Sequence, residues 1–143
     1  MKIRRNLNVV TNSVAVALEL GALPSAHVIL LGGKINAQYG FTSGADVEDQ
    51  LRRYHADLAI LSIDGICAES GISTCFMEEA IIGRMMLEQA GRTLIAADHT
   101  KVGRAGFTNI RRNLSAITLV TDHGIDPDAR KALEECGVEV HIG

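Results

Sequence analysis

The chain of 143 residues has the size of one domain and is large enough to bury a core. Hydrophobic residues make up 47% and charged residues 22%, which is typical of globular proteins and excludes a disordered chain. A net charge of -3 and an aromatic content of 3% exclude a strongly basic nucleic-acid-binding surface, so we expect one globular domain that does not bind DNA by itself.

Short apolar runs predict the strands, and they alternate with helical patterns along the whole chain. The runs are residues 7–10, 28–31, 58–61, 94–97 and 117–120. Because these runs are almost continuously apolar, we expect strands that are covered on both faces. Val138, Val140 and Ile142 alternate with polar residues, which predicts a last strand at a sheet edge. The alternation of strands and helices predicts an α/β fold with a mostly parallel sheet.

Capping residues and apolar spacing predict two helices in the first third of the chain. Asn12 or Ser13 caps the first helix, which ends near Gly21, and Asp46 caps the second. The residues expected to face inward are Val14, Ala17 and Leu18 in the first helix, and Val47, Leu51 and Tyr54 in the second. The irregular stretch 32–44 between them is expected to hold a small hairpin.

Two further helices are predicted in the second half. Residues 77–90 are apolar almost all round, so this helix should be deeply packed. Asp126 and Pro127 fit the N-cap and first turn of the last helix, and Gly137 ends it. Its apolar stripe is Ala129, Ala132, Leu133 and Cys136.

Polar residues and glycines follow several of the predicted strands. They are Thr11, Asn12, Ser13, Gly32, Gly33, Lys34, Asp64, Gly65, Asp98, His99, Thr100 and Lys101. Taken singly, each has a structural explanation as a helix cap or a turn. Taken together, hydroxyls, free backbone amides and a lysine are suited to a phosphorylated polyol. Because ligands bind beyond the carboxyl ends of strands in α/β sheets, we expect these residues to share one crevice.

Glu78 and Glu79 stand in the first turn of the helix at 77–90. One interpretation is that they only complement the helix dipole. The other is that one carboxylate accepts hydrogen bonds from sugar hydroxyls while Lys101 offers a positive charge to a phosphate or a ring oxygen. The sequence leaves both open.

We expect no metal and no cofactor. The five histidines are dispersed and show no metal-ligand spacing. The sequence contains no hydrolase nucleophile elbow, phosphate-binding Walker loop or dinucleotide-binding glycine motif.

The cellular context is predicted to be the cytoplasm. No apolar run approaches the roughly 20 residues that cross a bilayer, and the basic start is not followed by the apolar segment of a secretion signal. Cys67, Cys75 and Cys136 form no Cys-x-x-Cys pair, so we expect reduced thiols that serve in packing.

Seven short motifs in a fixed order resemble the effector domain of the DeoR family of transcription regulators. They are Val9-Val10-Thr11-Asn12-Ser13, Leu30-Leu31-Gly32-Gly33, Asp57-Leu58-Ala59, Asp64-Gly65-Ile66, Gly71-Ile72-Ser73-Thr74, Glu78-Glu79-Ala80 and Ala97-Asp98-His99-Thr100-Lys101-Val102-Gly103. The resemblance implies a Rossmann-like fold akin to ribose-phosphate isomerase, with helices on both faces of the sheet. It also implies a homo-oligomer that binds a phosphorylated sugar as inducer and controls DNA binding through a separate helix-turn-helix domain.

The resemblance also implies roles for individual residues. Thr11, Asn12 and Ser13 would line the crevice, Asp64, Gly65 and Thr74 its floor, and Glu78, Glu79 and Lys101 its polar wall. It leaves open which glutamate matches the base of the isomerases.

The sequence departs from the family pattern at three places. The winged helix-turn-helix and the first strand with its phosphate loop are missing, so we expect a chain truncated at its N-terminus. Thr74-Cys75-Phe76 stands where a Thr-Pro-Asn is usual, and Ser62 replaces a common glycine. These changes affect the region expected to bind the ligand.

Two classes of function compete. The first is a binding module, in which ligand occupancy shifts the balance between two arrangements of an oligomer. The second is an enzyme, a sugar-phosphate isomerase or deaminase, suggested by Asp64 and a glutamate near Lys101. Cys67 occupies the place of a second acid found in the isomerases, which favours the binding module.

Overall fold

The computed structural model describes residues 6–143. Its strands are β1 (Leu7–Thr11), β2 (Ala26–Leu30), β3 (Lys34–Asn36), β4 (Phe41–Ser43), β5 (Ala56–Leu61), β6 (Gly65–Cys67), β7 (Gly71–Thr74), β8 (Ala90–Ala96), β9 (Thr108–Arg111), β10 (Ile117–Thr121) and β11 (Glu139–Ile142). Its helices are α1 (Val14–Gly21), α2 (Ala45–Leu51), α3 (Met77–Glu88) and α4 (Pro127–Glu135), with a 3-10 turn at His99–Lys101. The chain divides into two compact units, Met1–Tyr54 and His55–Gly143, and each is described by itself.

Unit 1 is built from two strand pairs and two helices. β1 and β2 are parallel, with Leu7 opposite Ala26, and α1 connects them. β3 and β4 form an antiparallel hairpin, which confirms the hairpin predicted within 32–44. The prediction that Asp46 caps α2 is wrong: Gly44 is the N-cap, and Asp46 lies in the first turn. Gly44 adopts a φ of 101°, a conformation that an aspartate rarely takes.

The first helix packs less deeply than predicted. Ser13 is its N-cap, and the Ser13 side chain accepts a hydrogen bond from the Val16 amide. The prediction that Leu18 faces inward is wrong, because Leu18 is 73% exposed. No residue of α1 is fully buried in the structure of residues 6–143. The helix is apolar on several sides, so apolar spacing alone does not identify the face that packs.

Unit 2 contains a four-stranded parallel sheet in the order β11-β10-β8-β5. This arrangement confirms the α/β class and the parallel sheet, and β11 lies at its edge as predicted. A second sheet, antiparallel and in the order β6-β7-β9, was not predicted. Gly71, where β7 begins, has a φ of 77°, and an added Cβ would lie 2.1 Å from the Arg111 carbonyl oxygen. Only glycine lets these strands approach so closely.

The core of unit 2 lies between the sheets and helices α3 and α4. Its large side chains that are at most 1% exposed are Ile66, Ile72, Ile95, Ile117, Leu119 and Leu133. Asp126 caps α4 by accepting a hydrogen bond from the Ala129 amide at 2.9 Å, and Gly137 follows the helix with a φ of 93°. Both predicted boundaries of α4 are confirmed. α3 ends at Glu88 rather than at residue 90, because Ala90 already belongs to β8.

The apolar run 58–61 does not form a strand covered on both faces. Ala59 and Leu61 are buried, whereas Leu58 is 37% and Ile60 62% exposed. β5 is the outer strand of the four-stranded sheet, opposite to β11, so only one of its faces packs on the core of unit 2. The outer strand β2 also exposes apolar side chains, with Ile29 at 43%.

Two further expectations concern cysteines and membranes. All three thiols are free. Cys67 is buried, as expected of a packing residue. The prediction that Cys75 and Cys136 also serve in packing is wrong, because both are exposed. Within residues 6–143, no helix has the length and apolarity to span a bilayer.

Candidate functional site

The carboxyl edge of the parallel sheet in unit 2 carries several acidic and basic side chains. β5, β8 and β10 are parallel neighbours, so the loops that follow them lie at the same edge. Asp64 follows β5, Lys101 lies in the turn that follows β8, and Asp122 follows β10 directly. The antiparallel sheet adds Thr74, the last residue of β7, and α3 adds Glu79 in its first turn.

Thr74 joins two carboxylates. Its hydroxyl oxygen lies 2.8 Å from Asp64 Oδ2 and 2.7 Å from Glu79 Oε2. Asp64 Oδ2 also accepts a hydrogen bond from the Cys75 amide at 2.8 Å. Thr74 is 3% exposed, so its hydroxyl depends on these partners. Asp64, Thr74 and Glu79 therefore form one hydrogen-bonded group, which we call the acidic cluster.

Lys101 places a positive charge beside the acidic cluster. Its Nζ lies 4.0 Å from Asp64 Oδ1, and both side chains are 34% exposed. The 3-10 turn that carries Lys101 is capped by Asp98, which accepts a hydrogen bond from the Thr100 amide at 2.8 Å. At this distance and exposure the ion pair is weak, so the lysine is available to a negatively charged ligand.

The acidic cluster has one hydroxyl hydrogen for two carboxylate acceptors. If both carboxylates were ionised, Thr74 could donate to only one of them. A proton on Glu79 satisfies both contacts, because Glu79 then donates to the Thr74 hydroxyl and Thr74 donates to Asp64. The geometry therefore favours ionisation of Asp64 over ionisation of Glu79, so Glu79 is the carboxyl of the pair that takes up a proton first as pH falls.

The pKa directions agree with this proton count. Burial raises the pKa of Glu79, and the negative charges of Asp64 and Glu78 add to that effect, against the opposing Thr74 hydrogen bond. Burial also acts to raise the pKa of Asp64. The hydrogen bonds from Thr74 and Cys75, with Lys101 nearby, outweigh burial and hold the pKa of Asp64 below its ordinary value.

We expect Glu79→Gln to change how stability depends on pH. The raised pKa of Glu79 means that its contribution to stability is fully present below the ordinary value of 4.5 and is lost as pH rises through the raised value. Glutamine stays neutral and still donates to Thr74. The free energy of unfolding of the variant should therefore match that of the wild type below pH 4.5 and exceed it near neutral pH, by less than about 1 kcal/mol because the side chain is partly solvated.

Urea unfolding across this pH range measures the effect, and Glu135→Gln is its matched control. Glu135 is exposed at the end of α4, so its substitution removes the same charge without touching the acidic cluster. Asp64 contributes stability that is lost as pH falls, but it does so in every variant and cancels in the comparison. Parallel pH profiles for the two glutamine variants would contradict the assignment of the proton to Glu79.

The remaining candidate residues of unit 2 take distinct positions. Glu79 contacts the acidic cluster, whereas Glu78 is exposed and makes no hydrogen bond within residues 6–143. Gly65 is buried beside Asp64, and an added Cβ would lie 2.4 Å from the Arg104 carbonyl oxygen. Its lack of a side chain lets the loop after Lys101 pack directly against β6.

The candidate residues of unit 1 hold that unit together. The Thr11 hydroxyl accepts from the Ser13 amide at 3.0 Å, and the Asn12 side chain donates to the Thr42 carbonyl at 3.0 Å. Ser13 caps α1. At Gly33, an added Cβ would lie 2.5 Å from a Val47 methyl carbon, so the glycine allows the loop to approach α2. Their predicted place in a crevice shared with Asp64 and Lys101 stays a prediction.

Sequence reasoning missed Asp122. Its Oδ1 lies 2.8 Å from His99 Nδ1 and accepts from the Gly124 amide at 2.8 Å, and its Oδ2 accepts from the His99 amide at 3.0 Å. The backbone amide of His99 is the leading reason that the pKa of Asp122 lies below its ordinary value. Asp98, His99 and Asp122 bring ligand atoms within 4.8 Å of one another, but the turn's own hydrogen bonds account for their arrangement. The signal was available, because Asp122 directly follows a predicted strand.

The arrangement in unit 2 has a definite chemical capacity. The carboxylates of the acidic cluster accept hydrogen bonds from hydroxyl groups, and Glu79 can hold or release a proton. Lys101 attracts an anion. A ligand with several hydroxyls and one strong negative charge matches both the acidic cluster and Lys101.

Comparison with known proteins identifies the relatives of this chain. A family model described as the DeoR C-terminal sensor domain matches residues 1–123. The transcriptional repressor GlcR of Bacillus subtilis is 32% identical over 94% of this chain and 52% of its own length. A putative aga operon transcriptional repressor of Escherichia coli O157:H7 is 32% identical over 91% of this chain and 48% of its own length.

The glycerol-3-phosphate regulon repressor of Escherichia coli K12 is 27% identical over 84% of this chain and 53% of its own length. The chain thus spans about half the length of the curated relatives that it matches. The sensor-domain match covers most of the chain. This chain therefore belongs to the DeoR C-terminal sensor-domain family.

Proposed function

We propose that this chain is the effector-sensing domain of a transcription repressor and that it binds a phosphorylated sugar or a related polyol phosphate as inducer. The observation that carries the proposal is the acidic cluster with Lys101 beside it, 4.0 Å from Asp64. Hydroxyl acceptors and one cation lie at the same edge of a parallel sheet, where ligands of α/β folds bind.

The chemistry of the acidic cluster limits the ligand. A simple anion has no hydroxyls to offer the carboxylates and is repelled by them, whereas a neutral sugar leaves Lys101 without a new partner. A polyol phosphate supplies both, since its hydroxyls donate to Asp64 and Glu79 while the phosphate accepts from the lysine. The raised pKa of Glu79 means that its charged form is poorly stabilised, and a ligand hydroxyl that donates to Glu79 supplies that stabilisation.

The relatives support a regulatory role. They are named as transcriptional repressors, and one carries glycerol-3-phosphate, a polyol phosphate, in the name of its regulon. We infer that a full-length protein containing this chain acts in the cytoplasm as a homo-oligomer. A separate helix-turn-helix domain would bind the operator. Inducer and operator would then weaken each other's binding by the same factor, as linkage requires.

Thermal unfolding with a ligand panel tests the proposal. The panel pairs each sugar or polyol phosphate with its dephosphorylated parent and includes inorganic phosphate alone. A ligand present at about 100 times its dissociation constant adds about 2.7 kcal/mol to stability, which is readily measured. We expect at least one phosphorylated member to stabilise the chain, and its parent and inorganic phosphate to have little effect. Equal effects of a phosphate ester and its parent would contradict the proposal.

A second candidate function is sugar-phosphate isomerisation or deamination. A carboxyl with a raised pKa beside an ionised carboxylate suits proton transfer, and Glu79 beside Asp64 is such a pair. Cys67 is buried, at 8% exposure, and the family resemblance aligns it with the position where the isomerases carry a second acid. We therefore expect every stabilising ligand to be recovered unchanged after incubation with the chain, and turnover at enzyme-like rates would favour the enzyme instead.

A further inference from the structure

The 3-10 turn that carries Lys101 is attached to the rest of unit 2 on two sides. On one side is Asp122, whose Oδ2 accepts from the His99 amide at 3.0 Å and whose Oδ1 lies 2.8 Å from His99 Nδ1. On the other side, the Gly103 amide donates to the Ile66 carbonyl at 2.8 Å. Lys101 stands between the two attachments, so the position of its backbone depends on both.

The loop after β10 fits closely against the imidazole ring of His99. The Gly124 amide donates to Asp122 Oδ1 at 2.8 Å, so a single carboxylate oxygen joins this loop to the ring. An added Cβ at Gly124 would lie 2.6 Å from His99 Nδ1, which leaves room for glycine alone. The carboxylate of Asp122 and the missing side chain at Gly124 thus both serve to hold His99, two residues before Lys101.

The charge of Asp122 strengthens this attachment. The His99 amide and then the Gly124 amide are the leading reasons that the pKa of Asp122 lies below its ordinary value, so the carboxylate is ionised near neutral pH. Hydrogen bonds to an ionised acceptor are roughly twice as strong as those between neutral groups. The turn is therefore fixed by charge-assisted hydrogen bonds.

The same charge has a second effect, which acts in the opposite direction. A carboxylate at the edge of the sheet that carries Lys101 repels an anionic ligand, so its removal should by itself strengthen anion binding. Loss of the attachment to His99 should instead weaken anion binding, because Lys101 is then no longer held beside Asp64, where its Nζ lies 4.0 Å from Oδ1. The sign of the change in affinity therefore distinguishes the two effects.

We propose that Asp122 is a positioning residue of the ligand site, which acts through His99 to hold Lys101 where the negative group of the ligand binds. The inference rests on the proposed function and adds to it a residue outside the acidic cluster. Because the backbone of the turn is fixed before the ligand arrives, only the side chain of Lys101 has to be ordered on binding. Without the attachment, binding must order the backbone as well, which lowers the affinity.

The first test is hydrogen exchange of the Val102 amide by NMR, and it needs no ligand. This amide donates to the His99 carbonyl at 3.1 Å and so reports whether the turn is closed. We expect Asp122→Ala to raise its exchange rate at least about 10-fold. Asp128→Ala removes an equal charge from the exposed first turn of α4 and should leave the rate unchanged. Equal rates in the wild type and in Asp122→Ala would overturn the inference.

The second test is a double-mutant cycle in binding affinity, measured by calorimetry with the sugar or polyol phosphate that stabilises the chain most in the thermal panel. Asp122→Ala should weaken binding about 3- to 30-fold, against the strengthening expected from charge alone. In the Lys101→Met background the same substitution should change the affinity by less than about 2-fold. An equal loss in both backgrounds, or an unchanged or higher affinity in the wild-type background, would contradict a role through Lys101.

Gly124→Ala tests the same role with every charge in place. The added methyl group pushes the His99 ring away from Asp122, so we expect weaker binding, again only when Lys101 is present. Circular dichroism should show unchanged folding. Wild-type affinity of Gly124→Ala would refute the part assigned to His99. Wild-type affinity of Lys101→Met would instead contradict the proposed function and with it the ligand role of Asp122, and the exchange result separates that failure from a failure of the attachment itself.

Discussion

Replacing Gly65 by alanine is expected to lower the free energy of unfolding by about 1–3 kcal/mol and to weaken ligand binding. The added Cβ would lie 2.4 Å from the Arg104 carbonyl oxygen and 2.9 Å from Ser73 Oγ. The loop after Lys101 must then move away from β6, which breaks the 2.8 Å hydrogen bond from the Gly103 amide to the Ile66 carbonyl. Because the same loop begins at Lys101, the lysine shifts relative to Asp64.

Gly91→Ala is the control for this substitution. Gly91 lies in β8 of the same unit, and an added Cβ there would have its nearest neighbour, the Asp57 carbonyl oxygen, at an ordinary 3.5 Å. We expect this variant to be as stable as the wild type or slightly more stable, because alanine restricts the unfolded chain. Chemical denaturation measures the free energy of unfolding of both alanine variants. Equal stability of the two alanine variants would show that the loop does not rest on Gly65 as described.

Thr74→Val is expected to lower the free energy of unfolding by about 1–3 kcal/mol near neutral pH. Valine has the shape of threonine but removes the only hydroxyl hydrogen between Asp64 and Glu79. Losing the Thr74 hydrogen bond that stabilises its charged form raises the pKa of Asp64. The stability deficit should therefore shrink as pH falls below the ordinary carboxyl values. Ligand affinity should fall as well, since the two carboxylates lose their common anchor.

Thr121→Val provides the matched comparison. Thr121 also ends a buried strand, but its hydroxyl has no hydrogen-bond partner within residues 6–143. Removing an unsatisfied buried hydroxyl is neutral or stabilising. We expect this variant to be at least as stable as the wild type at every pH, with unchanged ligand affinity. A Thr74 variant that behaved like the Thr121 variant would show that the acidic cluster is not held by Thr74.

The regular strands and the last helix were predictable from local patterns. The apolar run at 117–120 and the alternation after Val138 are compatible with few structures other than strands. The Asp126-Pro127 cap and Gly137 mark the two ends of α4. The antiparallel sheet was missed because β6 and β7 have only three and four residues and depend on close backbone approach at Gly71. Such contacts between distant segments leave no periodic signal in the sequence.

The site was predictable in its residue types but not in its connections. The strand-end rule correctly indicated Asp64 and Lys101 as neighbours, because β5 and β8 pair in parallel. It could not decide between Glu78 and Glu79, since that choice depends on how α3 is rotated relative to Thr74. The solvent exposure of Ile60 could not be predicted either. Ile60 belongs to an apolar run like those of buried strands, but β5 is an outer strand.

The most direct test of the account is the affinity of Lys101→Met for a phosphorylated ligand identified with the panel, measured by isothermal titration calorimetry. Lys131→Met, which removes an equal charge from the exposed side of α4, serves as the control. We expect the Lys101 variant to bind about 10- to 100-fold more weakly, since a hydrogen bond to a charged group is lost, and the control to bind like the wild type. Unchanged affinity of Lys101→Met would contradict the account.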